Sequence, residues 1–124
     1  MIVFVAAGGA LGAVGRYGVV SLAGALIGHG FPYGTVIVNI VGSFVLGAVI
    51  ETSALMWSPS PEIRAMIVVG VLGAFTTFST FSLDVVTLVT RGENVHAMLY
   101  VIVSVVASIA ALWGGMALTR VLIT

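Results

Sequence analysis

The sequence predicts an all-α membrane protein with four transmembrane helices, the third of which is broken near the bilayer centre. Of its 124 residues, 60% are hydrophobic and only 6% are charged, whereas a soluble domain carries about 25% charged residues. Such a chain cannot cover a water-facing surface, and a lipid bilayer is the solvent that fits it. Four apolar runs separated by short turns fill residues 1–124, which we interpret as a single four-helix transmembrane domain.

The composition also excludes several classes of protein. Cysteine and lysine are absent and the formal net charge is zero, which argues against disulfides, a thiolate nucleophile and a nucleic-acid partner. No span contains a pair of histidine and carboxylate, and there is no phosphate-binding loop. Nothing in the sequence therefore indicates an enzyme.

The first two helices are delimited by turn residues and an aromatic residue. Helix 1 is predicted over Ile2–Ile27 and is ended by the glycines and proline of GHGFP at 28–32. Helix 2 is predicted over Tyr33–Leu55. Trp57 follows it, at the level where interfacial aromatic residues are enriched. Each run is long enough for a span of about 20 residues.

The last two helices follow polar turns. The segment SPSPE at 58–62 carries two prolines and good helix-starting residues, so helix 3 is predicted over Glu62–Thr90. The turn RGEN at 91–94 separates it from helix 4, which is predicted over Val95–Ile123.

Arginines in the turns barely specify an orientation in the membrane. With four spans, Arg64 and Arg120 lie on one side and Arg91 on the other. The positive-inside rule depends on an excess of Lys and Arg in short loops, and two against one is a small excess. The sequence is compatible with one fixed orientation or with insertion in both orientations, which would give an antiparallel dimer.

Small residues at spacing four permit close helix approach in lipid. Gly8 and Gly12 form one such pair, and Ser43 and Gly47 form another. These pairs could serve assembly of two chains or packing within one chain. Because a lone four-helix bundle fills its own core with side chains, a conduction path favours a second copy.

Charged and amide side chains at membrane depth are costly and need a reason. Arg16 lies about 22 Å along helix 1 at 1.5 Å per residue, where it could snorkel or could attract an anion into an aqueous vestibule. Glu51 and Asp84 lie nearer helix ends, and for both we expect solvation at the interface. Asn39 lies among apolar residues of helix 2, and it could either bond another helix or offer its amide to an ion.

Helix 4 carries hydroxyls at Tyr100, Ser104 and Ser108. Positions four apart lie on one face of a helix, so the three form a stripe about 12 Å long at 1.5 Å per residue. A single serine often bonds back to its own helix. Three hydroxyls in register favour a lining role along a polar path.

The run GVLGAFTTFSTFS at 70–82 predicts the break in helix 3. Its glycines weaken a helix, and its five hydroxyl residues compete for backbone hydrogen bonds. Broken backbone at membrane depth must be buried in protein or line a cavity, and its carbonyls could hold a hard cation; the alternative is a simple kink. Phe75, Phe78 and Phe81 recur every third residue, and the positive edges of their rings could face an anion.

At these residues the chain resembles the Fluc (CrcB) fluoride channel family. The resemblance covers almost the whole chain and rests on GGALGAVGRY at 8–17, GTVIVNIVGSFVLG at 34–47 and GAFTTFSTFS at 73–82. It implies a dual-topology homodimer with two antiparallel pores in the prokaryotic inner membrane. Such a dimer conducts fluoride passively and keeps cytoplasmic fluoride low.

The resemblance also implies roles for individual residues. It places Asn39, Phe78 and Phe81 along the fluoride path, and it makes Arg16 the family's helix 1 arginine. The backbone carbonyls of Gly73 and Thr76, from both subunits, would hold a central structural Na⁺. The candidate hydroxyls of the path are Thr35, Ser79, Thr80, Tyr100, Ser104 and Ser108.

The chain departs from the family pattern just before its double threonine. Family members often have glycine or cysteine there, where this chain has Leu72, Ala74 and Phe75. A bulky Phe75 could alter packing near the cation, although ligands that are carbonyls do not depend on it.

The main alternative is a small four-helix proton-coupled multidrug transporter. Such a protein needs a titratable carboxylate deep in a span. Helix 1 carries Arg16 instead, and Glu51 lies near a helix end. A second alternative is an assembly subunit that transports nothing. It would not explain the hydroxyl stripe of helix 4 or the broken helix 3.

Overall fold

A computed structural model describes every residue from Met1 to Thr124, and all of its regular elements are helices. They are α1 (Ile2–Ile27), α2 (Tyr33–Leu55), α3 (Pro61–Ala65), a π-helix (Met66–Leu72), α4 (Gly73–Phe75), α5 (Ser79–Thr90) and α6 (Asn94–Ile123). Four stretches are long and apolar enough to cross a membrane, namely Ile2–Ile27, Tyr33–Leu55, Pro61–Thr90 and Asn94–Ile123. The predicted four spans are confirmed, and their bounds agree with the sequence-based ones to within one residue.

The outer surface of the molecule is apolar. Only 18 of 124 residues are buried, and the exposed ones include leucines, valines and isoleucines on every span. Such a surface would be a large aggregation liability in water, but lipid tails are as apolar as these side chains. The chain is therefore a multi-pass membrane protein, and its interior is made by close helix contacts rather than by a large hydrophobic core.

Helices α2 and α6 form the most extensive contact, and glycines make it possible. A Cβ at Gly47 would clash with the carbonyl of Leu112, and a Cβ at Gly115 would clash with the carbonyl of Phe44. The two backbones therefore touch directly and reciprocally. Ser43, the other member of the predicted small-residue pair, instead lines a cavity described below.

The glycine pair of α1 packs within the chain. A Cβ at Gly8 would clash with the Met66 carbonyl, and one at Gly12 would clash with the Val71 carbonyl. Both carbonyls belong to the π-helix of the third span. Of the two uses left open for Gly8 and Gly12, packing within one chain is the one observed.

The third span is interrupted between two helical halves. Ser60 caps its start by accepting a bond of 3.3 Å from the Ile63 N–H. The first half ends at Phe75, and Thr76 is extended, with φ −84° and ψ 160°. Helical structure resumes at Ser79. The first half packs against α1, whereas α5 packs against α6, so the two halves rest on different neighbours.

An ion pair joins the far ends of α2 and α6. Arg120 donates to one oxygen of Glu51 from Nη2 at 2.8 Å and from Nε at 2.9 Å. Glu51 is only 3% exposed. The expectation that Glu51 is simply solvated at a helix end is wrong, because the bundle buries the carboxylate and provides a cation for it.

Replacing Gly12 with alanine should destabilise the protein by about 1–3 kcal/mol, the usual cost of overpacking, because the new methyl group meets backbone of the π-helix. Gly9→Ala is the matched control, since a Cβ there meets nothing within 4 Å. Alanine should be neutral at Gly9 or stabilising by up to ~1 kcal/mol. Unfolding in detergent, followed by tryptophan fluorescence, measures both changes. Equal midpoints for the two variants would contradict the packing described here.

Candidate functional site

The break in the third span is held by a side chain from another helix. Asn39 of α2 accepts a hydrogen bond of 2.8 Å from the Thr77 N–H through Oδ1. Its Nδ2 donates a bond of 3.0 Å to the Thr77 carbonyl. One amide thus satisfies both polar groups of a single residue, as a neighbouring β-strand would, and these two bonds hold Thr77 outside any helix. We call this pair of bonds the Asn39 clasp.

Thr77 in turn starts α5. Its Oγ1 accepts a bond of 3.1 Å from the Thr80 N–H, in the manner of a threonine at a helix N-terminus. Its side chain also lies 3.4 Å from the Ser79 hydroxyl, measured between the two oxygens. Thr77 is 9% exposed, so these groups meet inside the protein.

Two carbonyls lose their helical partners as a result. In a continuous helix the Thr77 N–H would bond the Gly73 carbonyl, and the Thr80 N–H would bond the Thr76 carbonyl. Both N–H groups are diverted to side chains. The carbonyls of Gly73, in the last turn of the first half, and of Thr76, in the extended segment, therefore lack these helical donors. Such oxygens are suitable ligands for a hard cation.

Side chains offer no competing metal site. No group of three histidine, cysteine, aspartate or glutamate residues is placed to hold a metal ion. The oxygens that Gly73 and Thr76 offer are backbone carbonyls.

A cavity of about 400 Å³ opens beside the break. Its wall is formed by α2, the third span and α6, with Gly42, Ser43 and Thr77 among the lining residues. Seven of the residues singled out from the sequence line it, namely Asn39, Gly73, Thr76, Phe78, Phe81, Ser104 and Ser108. Residues from three spans are thus brought to one space, as a common path requires.

The hydroxyls of Ser104 and Ser108 are buried and have no hydrogen-bond partner. This is unusual, because serines in membrane helices commonly bond back to a carbonyl of their own helix. Ser53 does so here, with 2.8 Å between its hydroxyl and the Val49 carbonyl. Buried polar groups left unpaired are costly, so these two hydroxyls are available for a bound species in the cavity.

Aromatic rings continue from the cavity along α5 and α6. The ring centroids of Phe78 and Phe81 are 5.5 Å apart, and those of Phe81 and Tyr100 are 5.1 Å apart. Phe31 meets Tyr100 edge-on with centroids 5.5 Å apart. Phe81 is buried, whereas Phe78 is 78% exposed at the rim of the cavity. The regular spacing of phenylalanines in the sequence therefore leads to two different environments.

The hydroxyl of Tyr100 lies beyond the cavity and has a carboxylate as its partner. It donates a bond of 2.8 Å to Oδ2 of Asp84 on α5. Tyr100 is fully buried, and Thr35 of α2 is buried as well. The expectation that Asp84 is merely solvated needs correction, because it is engaged with the hydroxyl stripe of α6.

Besides Tyr100, four of the predicted site residues do not line the cavity. Ser79 is exposed, Thr80 is half-buried, and Thr35 lies inside the bundle. Arg16 is half-buried on α1 and takes part in neither of the two ion pairs.

Phe75 does not enter the cavity either. Its ring lies over Gly15 of α1 and Gly42 of α2. The two glycines make room for a large side chain, so this departure from the family pattern is accommodated against α1 and α2.

Sequence reasoning missed the partners of the polar residues. It named Asn39 and Tyr100 but did not assign Thr77 to the first or Asp84 to the second. The signal was present in the rule that buried polar groups are paired. Choosing the partner requires the rotation of each helix about its axis, which the sequence pattern does not specify.

Comparison with known proteins shows the family of this chain. A family model described as "CrcB-like protein, Camphor Resistance (CrcB)" matches residues 3–116. A Rhodospirillum centenum protein named "Fluoride-specific ion channel FluC" is 48% identical over 124 residues, covering 97% of this chain and 95% of the relative.

Two further relatives have similar names and similar coverage. An Agrobacterium fabrum protein, "Fluoride-specific ion channel FluC", is 50% identical over 119 residues, covering 96% of this chain and 95% of its own length. A Nitrobacter hamburgensis protein, "Fluoride-specific ion channel FluC 1", is 46% identical over 121 residues, with coverages of 98% and 96%. By these names the family is one of ion channels rather than enzymes. Since the model matches most of the chain and the relatives align over nearly all of it, this chain belongs to the CrcB family.

Proposed function

We propose that this protein is a fluoride-selective ion channel that lets fluoride leave the cell passively and so lowers its cytoplasmic concentration. The single observation that carries the proposal is the pair of buried, unpartnered hydroxyls of Ser104 and Ser108 beside the cavity. Relatives named fluoride-specific ion channels support the choice of ion.

The chemistry of the cavity suits a small, strongly hydrated anion. Fluoride must be offered hydrogen-bond donors in place of its water. Ser104 and Ser108 each provide an O–H, and Asn39 has a second N–H that the Asn39 clasp does not use. No arginine or lysine lines the cavity, which keeps binding weak enough for release, as conduction requires.

The phenylalanines add a weaker contribution. Ring edges carry partial positive charge, so Phe81 in the wall and Phe78 at the rim can present C–H groups to an anion. Tyr100 with Thr35, and Ser79 with Thr80, would supply hydroxyls further along the path. Arg16 would raise the local potential for anions in a vestibule.

We propose that the working unit is a homodimer of two antiparallel copies, with two pores. The extreme exposure of Phe78, 78% in a single chain, supports this, because a phenylalanine lining a path needs a wall opposite it. The near balance of arginines on the two sides supports insertion in both orientations. Within this proposal residues 1–124 form a single transmembrane domain in the prokaryotic inner membrane.

A structural Na⁺ at the dimer centre completes the proposal. The carbonyls of Gly73 and Thr76 fit this role, because their helical donors are diverted to Asn39 and Thr77. Two such carbonyls from each subunit would hold the ion. Bound there, Na⁺ would supply a fixed positive charge and tie the two breaks together.

The alternative of a proton-coupled multidrug transporter finds no support in the site. Such a transporter needs a carboxylate free to exchange protons within a span. The buried Glu51 is paired with Arg120, and Asp84 accepts a hydrogen bond from Tyr100. Neither carboxylate lines the large cavity.

Purified protein in liposomes should release fluoride and retain chloride, as measured with ion-selective electrodes. Hydrogen bonds to charged groups contribute about 1.5–3 kcal/mol, so Ser104→Ala and Ser108→Ala should each slow fluoride release roughly tenfold or more. Ser53→Ala is the control, because its hydroxyl is satisfied by its own helix. Equal release of chloride would refute selectivity, and unchanged release in both serine variants would remove these hydroxyls from the path.

Fluoride release should fall when Na⁺ is replaced on both sides of the membrane by N-methylglucamine, and it should recover on return of Na⁺. The reason is that, without a cation, the carbonyls of Gly73 and Thr76 no longer join the two subunits. Replacement of Na⁺ by K⁺ at equal ionic strength is the control for an effect of salt concentration alone. Release that is indifferent to the cation would contradict a Na⁺ site.

The chain contains no cysteine, so a single introduced cysteine reports its own side of the membrane. Thr124→Cys should react with an impermeant maleimide in about half of the molecules of intact inverted or right-side-out vesicles, as dual insertion requires. Asn94→Cys, at the opposite end of α6, should give the same fraction. Complementary labelling, with one site accessible and the other protected, would show a single orientation.

A further inference from the structure

The chain builds its cation site by removing hydrogen bonds rather than by supplying ligand side chains. We propose that Asn39 and Thr77 are positioning residues for this site. Each takes the N–H that would otherwise close a helical bond on a carbonyl, and neither touches the cation. This inference rests on the proposed Na⁺ site and names the residues that create it.

The first freed carbonyl is that of Gly73. Its helical donor would be the Thr77 N–H, which lies 2.8 Å from Oδ1 of Asn39, measured from nitrogen to oxygen. The acceptor is held in place because the same amide donates to the Thr77 carbonyl at 3.0 Å. A side chain without an acceptor at position 39 would let the N–H return to Gly73. The Gly73 carbonyl would then be occupied by a helical hydrogen bond.

The second freed carbonyl is that of Thr76. Its helical donor would be the Thr80 N–H, which instead donates to Oγ1 of Thr77 at 3.1 Å. The Thr76 hydroxyl bonds back to the Leu72 carbonyl at 2.9 Å, so that side chain is occupied elsewhere. The hydroxyl of Thr77, not that of Thr76, therefore frees the second carbonyl.

Close packing keeps Asn39 in reach of the break. A Cβ at Gly42, one turn along α2, would clash with the Thr76 side chain. Helix α2 thus touches the break at Gly42 and bonds it at Asn39. Because Asn39 also lines the cavity with Ser104 and Ser108, one amide serves both the cation site and the anion path.

Substitutions at the two positions differ in which hydrogen bonds they remove. Asn39→Asp keeps an oxygen acceptor for the Thr77 N–H but loses the donor to the Thr77 carbonyl, and its negative charge should repel fluoride and slow its release. Asn39→Leu removes both donor and acceptor at similar volume, so it should weaken Na⁺ binding and slow fluoride release. For Thr77, serine keeps the hydroxyl acceptor and alanine removes it.

The experiment measures how the unfolding temperature rises with Na⁺ concentration, with N-methylglucamine making up the ionic strength. A ligand that binds only the folded state stabilises it by RT ln(1 + [L]/Kd), so a fit of this rise gives an apparent Kd for Na⁺. We expect Asn39→Leu and Thr77→Ala to raise this apparent Kd about tenfold, equivalent to ~1.4 kcal/mol. Thr77→Ser should stay near the parent protein.

Gly8→Ala is the control for destabilisation, since a Cβ there would clash only with Met66, seven residues before Gly73. It should lower the unfolding temperature and leave the apparent Kd for Na⁺ unchanged. If Asn39→Leu does not fold, the pair Thr77→Ala and Thr77→Ser decides. An unchanged apparent Kd in Thr77→Ala, or in a folded Asn39→Leu, overturns the inference. A parent protein without any Na⁺ response would refute the Na⁺ site itself.

Discussion

The site depends on two hydrogen bonds between the Asn39 amide and the backbone of Thr77. A polypeptide in lipid has to satisfy its own polar groups, and a helix does so automatically. Where a span is broken, its backbone N–H and C=O groups lose these helical hydrogen bonds. Asn39 resolves the difficulty because one planar amide carries a donor and an acceptor at the spacing of a peptide group. The break, the freed carbonyls and the start of α5 all follow from this one contact.

Much of the fold is predictable from the sequence because the bilayer imposes simple rules. Length and apolarity predict the four spans, and turn residues such as Gly28 and Pro32 predict where they end. The run of glycine and hydroxyl residues predicts where helix 3 is weak. The hydroxyl stripe of α6 follows from a spacing of four, and Ser104 and Ser108 do line one cavity.

The pairing of side chains between helices is not predictable in the same way. Lipid is apolar on all sides, so the sequence carries little amphipathic pattern to indicate how each helix is rotated. Glu51 and Asp84 were both expected at a solvated interface, yet one is bound by Arg120 and the other by Tyr100. The contact of Asn39 with Thr77 spans 38 positions and depends on Gly42, which leaves room for the Thr76 side chain. These are properties of the assembled bundle.

The buried ion pair at the end of α2 has a consequence for biogenesis. Glu51 and Arg120 are 69 positions apart, and α2 is synthesised well before α6. During that interval the carboxylate has no partner from its own chain, and a lone charge is poorly tolerated away from water. The Glu51 carboxylate therefore gains its buried ion pair only after the last span has been synthesised, so the end of α2 reaches its final environment late in assembly.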